Sequence, residues 1–151
     1  MSARESIYHY CNYQPRSHQE ARNKLYELGC TTPEVELIIS ELIEKGLLNE
    51  EQYARAIARG KFRMKQWGRV KIIQQLKFNK VSEYCIKKAM TEIDPDEYYE
   101  TLKKLAEKKW ATLKSEKQPP IKKKKAFSYL AQKGYESSLI NEALNELINM
   151  S

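Results

Sequence analysis

Residues 17–42 run SHQEARNKLYELGCTTPEVELIISEL, and two helices joined by a tight turn follow from the order of these side chains. Ser17 and Glu20 have the spacing of a capping box, in which a hydroxyl and a carboxylate satisfy backbone donors that a helix start leaves free. The helix they open passes through Ala21, Leu25 and Leu28 and stops at Gly29, a residue type suited to the left-handed conformation that closes helices. Thr32-Pro33 then starts another helix, with Thr as N-cap and Pro at the first helical position. Its apolar stripe is Val35, Ile38, Ile39 and Leu42, and it ends near Gly46.

The same frame recurs twice. With Leu25, Leu76 and Leu130 as anchors, the residues four earlier are Ala21, Ile72 and Ala126. Ten residues beyond each anchor stand Val35, Ile86 and Ile140, then Ile38, Ala89 and Ala143, then Ile39, Met90 and Leu144, then Leu42, Ile93 and Leu147. Anchors 51 and 54 residues apart give a period close to that of known helical repeat arrays. Such arrays bury each unit against its neighbours and present extended surfaces to large partners.

Each copy contains a third helix ahead of this pair. In copy one it is the aromatic-rich segment Ile7 to Tyr13, with Tyr8 and Tyr10, closed by Pro15. In copy two it starts at Asn49, with Gln52 as capping partner, and carries Tyr53, Ala54, Ile57, Ala58 and Phe62 on one side. Gly60 weakens that helix by about 1 kcal/mol relative to Ala, which allows a bend. Trp67-Gly68 breaks it, Ile72, Ile73 and Leu76 carry the next helix, and a third begins near Ser82 and buries Cys85. Copy three opens on Asp94-Pro95-Asp96-Glu97, an N-cap with Pro and acids in the first turn, and continues through Tyr98, Leu102, Leu105, Ala106, Trp110 and Leu113. Ser115 to Pro120 reads as a linker, followed by a helix over 121–133 that ends at Gly134 and a last helix over 136–149. The 3.6-residue periodicity throughout predicts an all-α fold: tandem three-helix repeats in an elongated, curved array, with copies at 1–48, 49–93 and 94–151.

Composition narrows the function. The chain has 151 residues, 41% hydrophobic and 31% charged, and its five Gly and five Pro disfavour a turn-rich sheet fold. No apolar run is long enough to span a bilayer, no secretory h-region follows Met1, and no membrane partner is expected. Cys11, Cys30 and Cys85 have no CxxC spacing. Cys30 and Cys85 are expected to be buried, and with His9 and His18 as the only histidines a four-ligand zinc site is not indicated. A reducing cytoplasm fits these thiols. No Gly-rich phosphate loop, GxSxG or HExxH occurs, so neither catalysis nor a cofactor is expected. Glu34, Glu36, Glu41 and Glu44 read as a solvated helix face.

Charge is distributed unevenly. The net +7 arises in the middle copy: residues 1–49 carry −2, 50–93 carry +7 and 94–151 carry +2, with no Asp or Glu between Gln52 and Ser82. Arg55, Arg59 and Arg63 follow one another at i, i+4 and i+8, a spacing of like charges that costs a helix a few tenths of a kcal/mol per pair. Local stability therefore does not explain them. Lys61, Lys65, Arg69, Lys71 and Lys77 thicken the patch. These residues are candidates for an anion-binding face, the alternative being a surface that only keeps the protein in solution. Phe62 and Trp67 lie among the charges, placed either to stack on single-stranded bases or to pack between helices. Lys122, Lys123, Lys124 and Lys125 fall in the first turn of a helix, where cations oppose the helix dipole. They form an auxiliary candidate patch or a solvated run.

In order and spacing these elements resemble the RecX family of bacterial RecA regulators. The matching stretches are Pro15-Arg16-Ser17 with Glu20 and Lys24-Leu25; Leu42 to Glu50 running into Tyr53-Ala54; Gly68 with Ile72, Leu76 and Lys80-Val81-Ser82; and Tyr129 to Tyr135 with Ile140 and Ala143-Leu144. Together they cover about residues 7–147. The resemblance implies tandem three-helix repeats, docking in the groove of the RecA–DNA filament, and suppression of ATP hydrolysis and strand exchange without catalysis by the protein itself. It also implies contact with DNA, single-stranded DNA included. Many relatives have Pro where this chain has Arg69. No universal binding motif transfers from the family, so the candidate residues rest on charge. Two other functions suit the same sequence: a module that binds single-stranded DNA directly, and a helical scaffold for another protein.

Overall fold

The computed structural model describes residues 1–150, which form nine α-helices and no strand. They are α1 (Ala3–Tyr13), α2 (His18–Glu27), α3 (Thr32–Glu44), α4 (Glu50–Lys65), α5 (Arg69–Phe78), α6 (Glu83–Met90), α7 (Pro95–Thr112), α8 (Pro119–Gln132) and α9 (Ser137–Met150). Helix starts follow the capping chemistry of the sequence. The Ser17–Glu20 box is formed in both directions, at 2.9 and 3.0 Å. Asn49 Oδ1 accepts from the Gln52 N–H at 2.9 Å, and the Asp94 carboxylate accepts from the Glu97 N–H at 2.9 Å.

Three boundaries differ from the sequence reading. Helix α1 starts earlier than Ile7, because Ser2 caps it by accepting from the Glu5 N–H. Thr31 rather than Thr32 is the N-cap of α3, and Glu34 accepts both its N–H and its hydroxyl. Pro119-Pro120 belong to α8 rather than to the preceding linker, in keeping with the tolerance of a first helical turn for residues that lack an N–H.

The repeat shows most clearly in the bonds that end the second helix of each copy. Cys30, Val81 and Tyr135 stand five residues after their anchors, and their N–H groups donate to the carbonyls of Leu25, Leu76 and Leu130 at 3.1, 3.0 and 3.3 Å. The residue before each has a left-handed backbone: Gly29 at φ +89° and Gly134 at φ +101°, but Lys80 at φ +59° in the middle copy. Glycine takes this conformation without the clash a Cβ introduces, so the Lys80 turn carries strain that its two counterparts avoid.

The chain divides into two compact units, residues 1–58 with 75–90, and 59–74 with 91–151. Residues 49–93 are shared between them. In the first unit α1 packs on α2 and α2 on α3 around a core of Ile7, Cys11, Ala21, Leu25, Val35, Ile38, Ile39, Leu42 and Leu48. In the second, α7, α8 and α9 pack against one another and bury Leu102, Leu105, Ala106, Ala126, Leu130, Ile140, Ala143 and Leu144. The anchors Leu25, Leu76 and Leu130 are fully buried, as are Ala21, Ile72 and Ala126. Met90 and Leu147 of the predicted stripes are only partly covered, and Cys30 is half-buried where the sequence suggested full burial. No helix among the described residues is long and apolar enough to cross a membrane.

Candidate functional site

Two buried tyrosines occupy equivalent places, each four residues after the N-cap of its copy's first helix: Tyr53 after Asn49 and Tyr98 after Asp94. The hydroxyl of Tyr53 accepts from Asn79 Nδ2 at 2.7 Å. That of Tyr98 accepts from the Arg69 N–H at 2.9 Å and donates to Glu136. Burial first, and Glu136 second, raise the Tyr98 pKa well above its ordinary value, so the phenol stays neutral and keeps its proton to donate.

This arrangement fixes the start of α5, which carries part of the cationic region. Helix α5 has no capping box of its own. Its free donors are met from elsewhere in the second unit: the Gly68 N–H by the Lys133 carbonyl at 2.8 Å, the Val70 N–H by the Gly134 carbonyl at 2.9 Å, and the Arg69 N–H by Tyr98. Such close backbone approach needs glycine, because a Cβ on Gly68 would overlap the backbone of Gly134 and Tyr135. Tyr135 completes the frame by donating its hydroxyl to the Gln66 carbonyl at 2.9 Å, and its ring lies 5.1 Å from that of Tyr98.

The cationic candidates fall into different circumstances on this frame. Arg55 pairs with Glu51 one helical turn earlier at 3.0 Å, Arg59 pairs with Glu92, and Arg69 pairs with Glu136 at 2.8 Å with its guanidinium 3.9 Å from the Tyr98 ring centre. The departure from Pro at Arg69 thus supplies an N–H, an ion pair and a ring contact that proline could not. Arg63 and Lys65 are exposed and have no acidic partner among the described residues. Lys61 and Lys71 share one aromatic partner: their ammonium groups stand 4.8 and 4.4 Å from the centre of the half-buried Trp67 ring. Each gains a cation–π contact there, and neither is neutralised by it.

The two aromatics differ in exposure. Phe62 is buried, its ring 5.7 Å from Tyr98, so it packs and is not available to a base. Trp67 keeps partial exposure beside its two lysines. Lys122 to Lys125 make separate contacts: Lys122 lies 4.2 Å from the Trp110 ring, Lys123 donates to Asn145, Lys125 pairs with Glu116 at 3.1 Å, and Lys124 is exposed. No hydrogen bond, ion pair or ring contact joins these four to residues 55–71 among the described residues. Sequence reasoning missed Tyr98, Glu136 and Gly134 as the supports of α5. The recurrence of tyrosine at one offset from two N-caps was the signal available.

Known proteins share this architecture and much of the sequence. Residues 49–90 match a family model described as RecX, second three-helix domain, and residues 96–144 match RecX, third three-helix domain. Regulatory protein RecX of Clostridium perfringens (strain 13 / Type A) is 34% identical over 135 residues, covering 89% of this chain and 63% of that protein, so the chain spans slightly less than two thirds of this relative. Regulatory protein RecX of Pelodictyon phaeoclathratiforme is 30% identical over 135 residues, covering 88% of this chain and 82% of the relative. The crystal structure of RecX from Lactobacillus salivarius superposes with a TM-score of 0.84 at 25% identity, covering 96% of this chain and 94% of that one. A relative at this identity over most of both lengths, with tandem three-helix domains in the same order, leaves one assignment: the chain belongs to the RecX family of regulatory proteins.

Proposed function

We propose that the protein is a non-enzymatic negative regulator of the RecA recombinase, docking in the groove of the RecA–DNA filament and suppressing ATP hydrolysis and strand exchange. The observation that carries this reading is the run from Gln52 to Ser82, which holds no acid and presents Arg63, Lys65, Lys61 and Lys71 with no carboxylate of the chain paired to them among the described residues. Family membership supports RecA as the partner. A nucleoprotein filament is long and strongly anionic, and a cationic helix pair matches it in sign. The division into copies 1–48, 49–93 and 94–151 belongs to this proposal, since several modest contacts along one filament reinforce each other through effective concentration.

Arg55, Arg59 and Arg69 take a lesser part in this reading, because each already has an internal carboxylate partner. Lys122 to Lys125 act as an auxiliary patch. Co-sedimentation of the protein with RecA filaments formed on single-stranded DNA tests the assignment. The double substitution Arg63→Glu with Lys65→Glu is expected to release the protein from the pellet at moderate salt, while Arg55→Gln leaves most of it bound. Equal retention of all three proteins would count against the cationic face.

A further inference from the structure

Tyr13 and Arg16 form a wall shared by two clefts, both lined entirely by residues of the first unit. One cleft, of about 320 Å³, is lined by His9, Tyr10 and Lys24 as well as the wall. The other, of about 310 Å³, is lined by Asn12, Gln14, Asn49 and Gln52 together with the same wall. Neither lining contains an Asp or Glu, although residues 1–49 hold seven Glu against five basic residues. The local chemistry therefore opposes the charge of its surroundings.

Arg16 is held without a carboxylate partner among the described residues. Its Nε donates to the Tyr10 carbonyl at 3.0 Å, and its guanidinium carbon lies 3.7 Å from the Tyr10 ring centre and 5.9 Å from that of Tyr13. Lys24 brings a second cation 5.7 Å from the same Tyr10 ring. Glu20 and Glu27 are felt at Tyr10 but line neither cleft, and Glu20 is occupied by the Ser17 N–H. Tyr13 is 78% exposed, and the Arg16 guanidinium is the cation beside its ring. An anion-seeking cleft, an open aromatic ring and a cleft rich in side-chain amides stand side by side. Phosphate, stacking face and base edge make the same three demands in the same order.

We propose that this wall is a nucleotide-binding site: a base stacks on Tyr13, its phosphate is held by Arg16 and Lys24, and its edge faces the amides of Asn12, Gln14 and Gln52. The nucleotide is either a free mononucleotide or one unit of a single strand crossing both clefts. None of the cationic residues of 55–71 lines either cleft, and the proposal requires no RecA.

The test is residue-resolved NMR on the full-length chain, titrated separately with adenosine monophosphate, with a short oligothymidylate and with inorganic phosphate. Amide shifts are expected at residues 11–16 and 46–52. A response to the mononucleotide marks a free nucleotide as the ligand, and a response to the oligonucleotide alone marks a strand. Tyr13→Ala is expected to weaken the binding read at these residues about tenfold, and Lys24→Gln to weaken it several-fold, with the remaining spectrum unchanged. The proposal is overturned by the absence of shifts at these residues with both nucleotide ligands. It is equally overturned if inorganic phosphate reproduces the whole response, or if both folded variants bind as the parent does.

Discussion

At the scale of single residues, Tyr98 decides how the candidate face is held. Its hydroxyl is one member of a closed set: it accepts from the Arg69 N–H, donates to Glu136, and Glu136 pairs with Arg69. Removing the oxygen leaves an N–H and a carboxylate with an unmet partner in a half-buried setting. Tyr98→Phe is therefore expected to lower stability by about 1–3 kcal/mol, read as a fall in urea midpoint with unchanged slope. An unchanged midpoint would mean that water replaces the hydroxyl without loss. The surface ion pairs have smaller effects, since Arg4–Glu41 and Arg22–Glu36 are exposed and pairs of that kind are worth about 0–1 kcal/mol. Their carboxylates are nonetheless shifted down from the ordinary value, chiefly through the hydrogen bonds from Arg22 to Glu36 and from Arg4 to Glu41.

At the scale of helices, the turn after α5 is the weak copy of a thrice-used device. Lys80→Gly would give the middle copy the residue that Gly29 and Gly134 already provide, and is expected to raise stability by about 0.5–1 kcal/mol in chemical denaturation. A loss would show that the Lys80 side chain has a compensating role. The helices themselves were legible in the sequence wherever the signal was local. Ser17–Glu20, Asn49–Gln52 and Asp94–Glu97 are spacing patterns within one turn, and each forms as its spacing requires. What could not be read was how α5 begins, because its caps come from Lys133, Gly134 and Tyr98, more than 25 residues away. Nor could charge alone separate Arg63 and Lys65 from Arg55, Arg59 and Arg69. That distinction depends on where Glu92 and Glu136 fall in space, and only the one-turn neighbour Glu51 was visible beforehand.

At the scale of the whole molecule, the buried phenols set an upper pH limit. Tyr53, Tyr98 and Tyr135 are each at most 3% exposed, and burial is the largest cause raising all three above the ordinary 10.0. A raised phenol pKa means that the folded state favours the neutral form. The stabilisation is thus complete below pH 10 and declines as pH rises beyond it, where the unfolded chain ionises first. Thermal unfolding followed between pH 8 and pH 11 is expected to show a flat midpoint to about pH 10 and a steep fall above it. Ring NMR signals of Tyr53, Tyr98 and Tyr135 should change to those of the phenolate together with unfolding and not before. A phenolate form of any of these three rings in folded protein near pH 10 would mean that the ring is hydrated.

RecA's DNA-dependent ATP hydrolysis, measured at fixed single-stranded DNA while the protein is titrated in, reads out the restraint that we propose for the cationic helix pair. Progressive inhibition by the native chain is expected, and its loss in the Arg63→Glu, Lys65→Glu double variant. Undiminished hydrolysis at protein equal to RecA would contradict it.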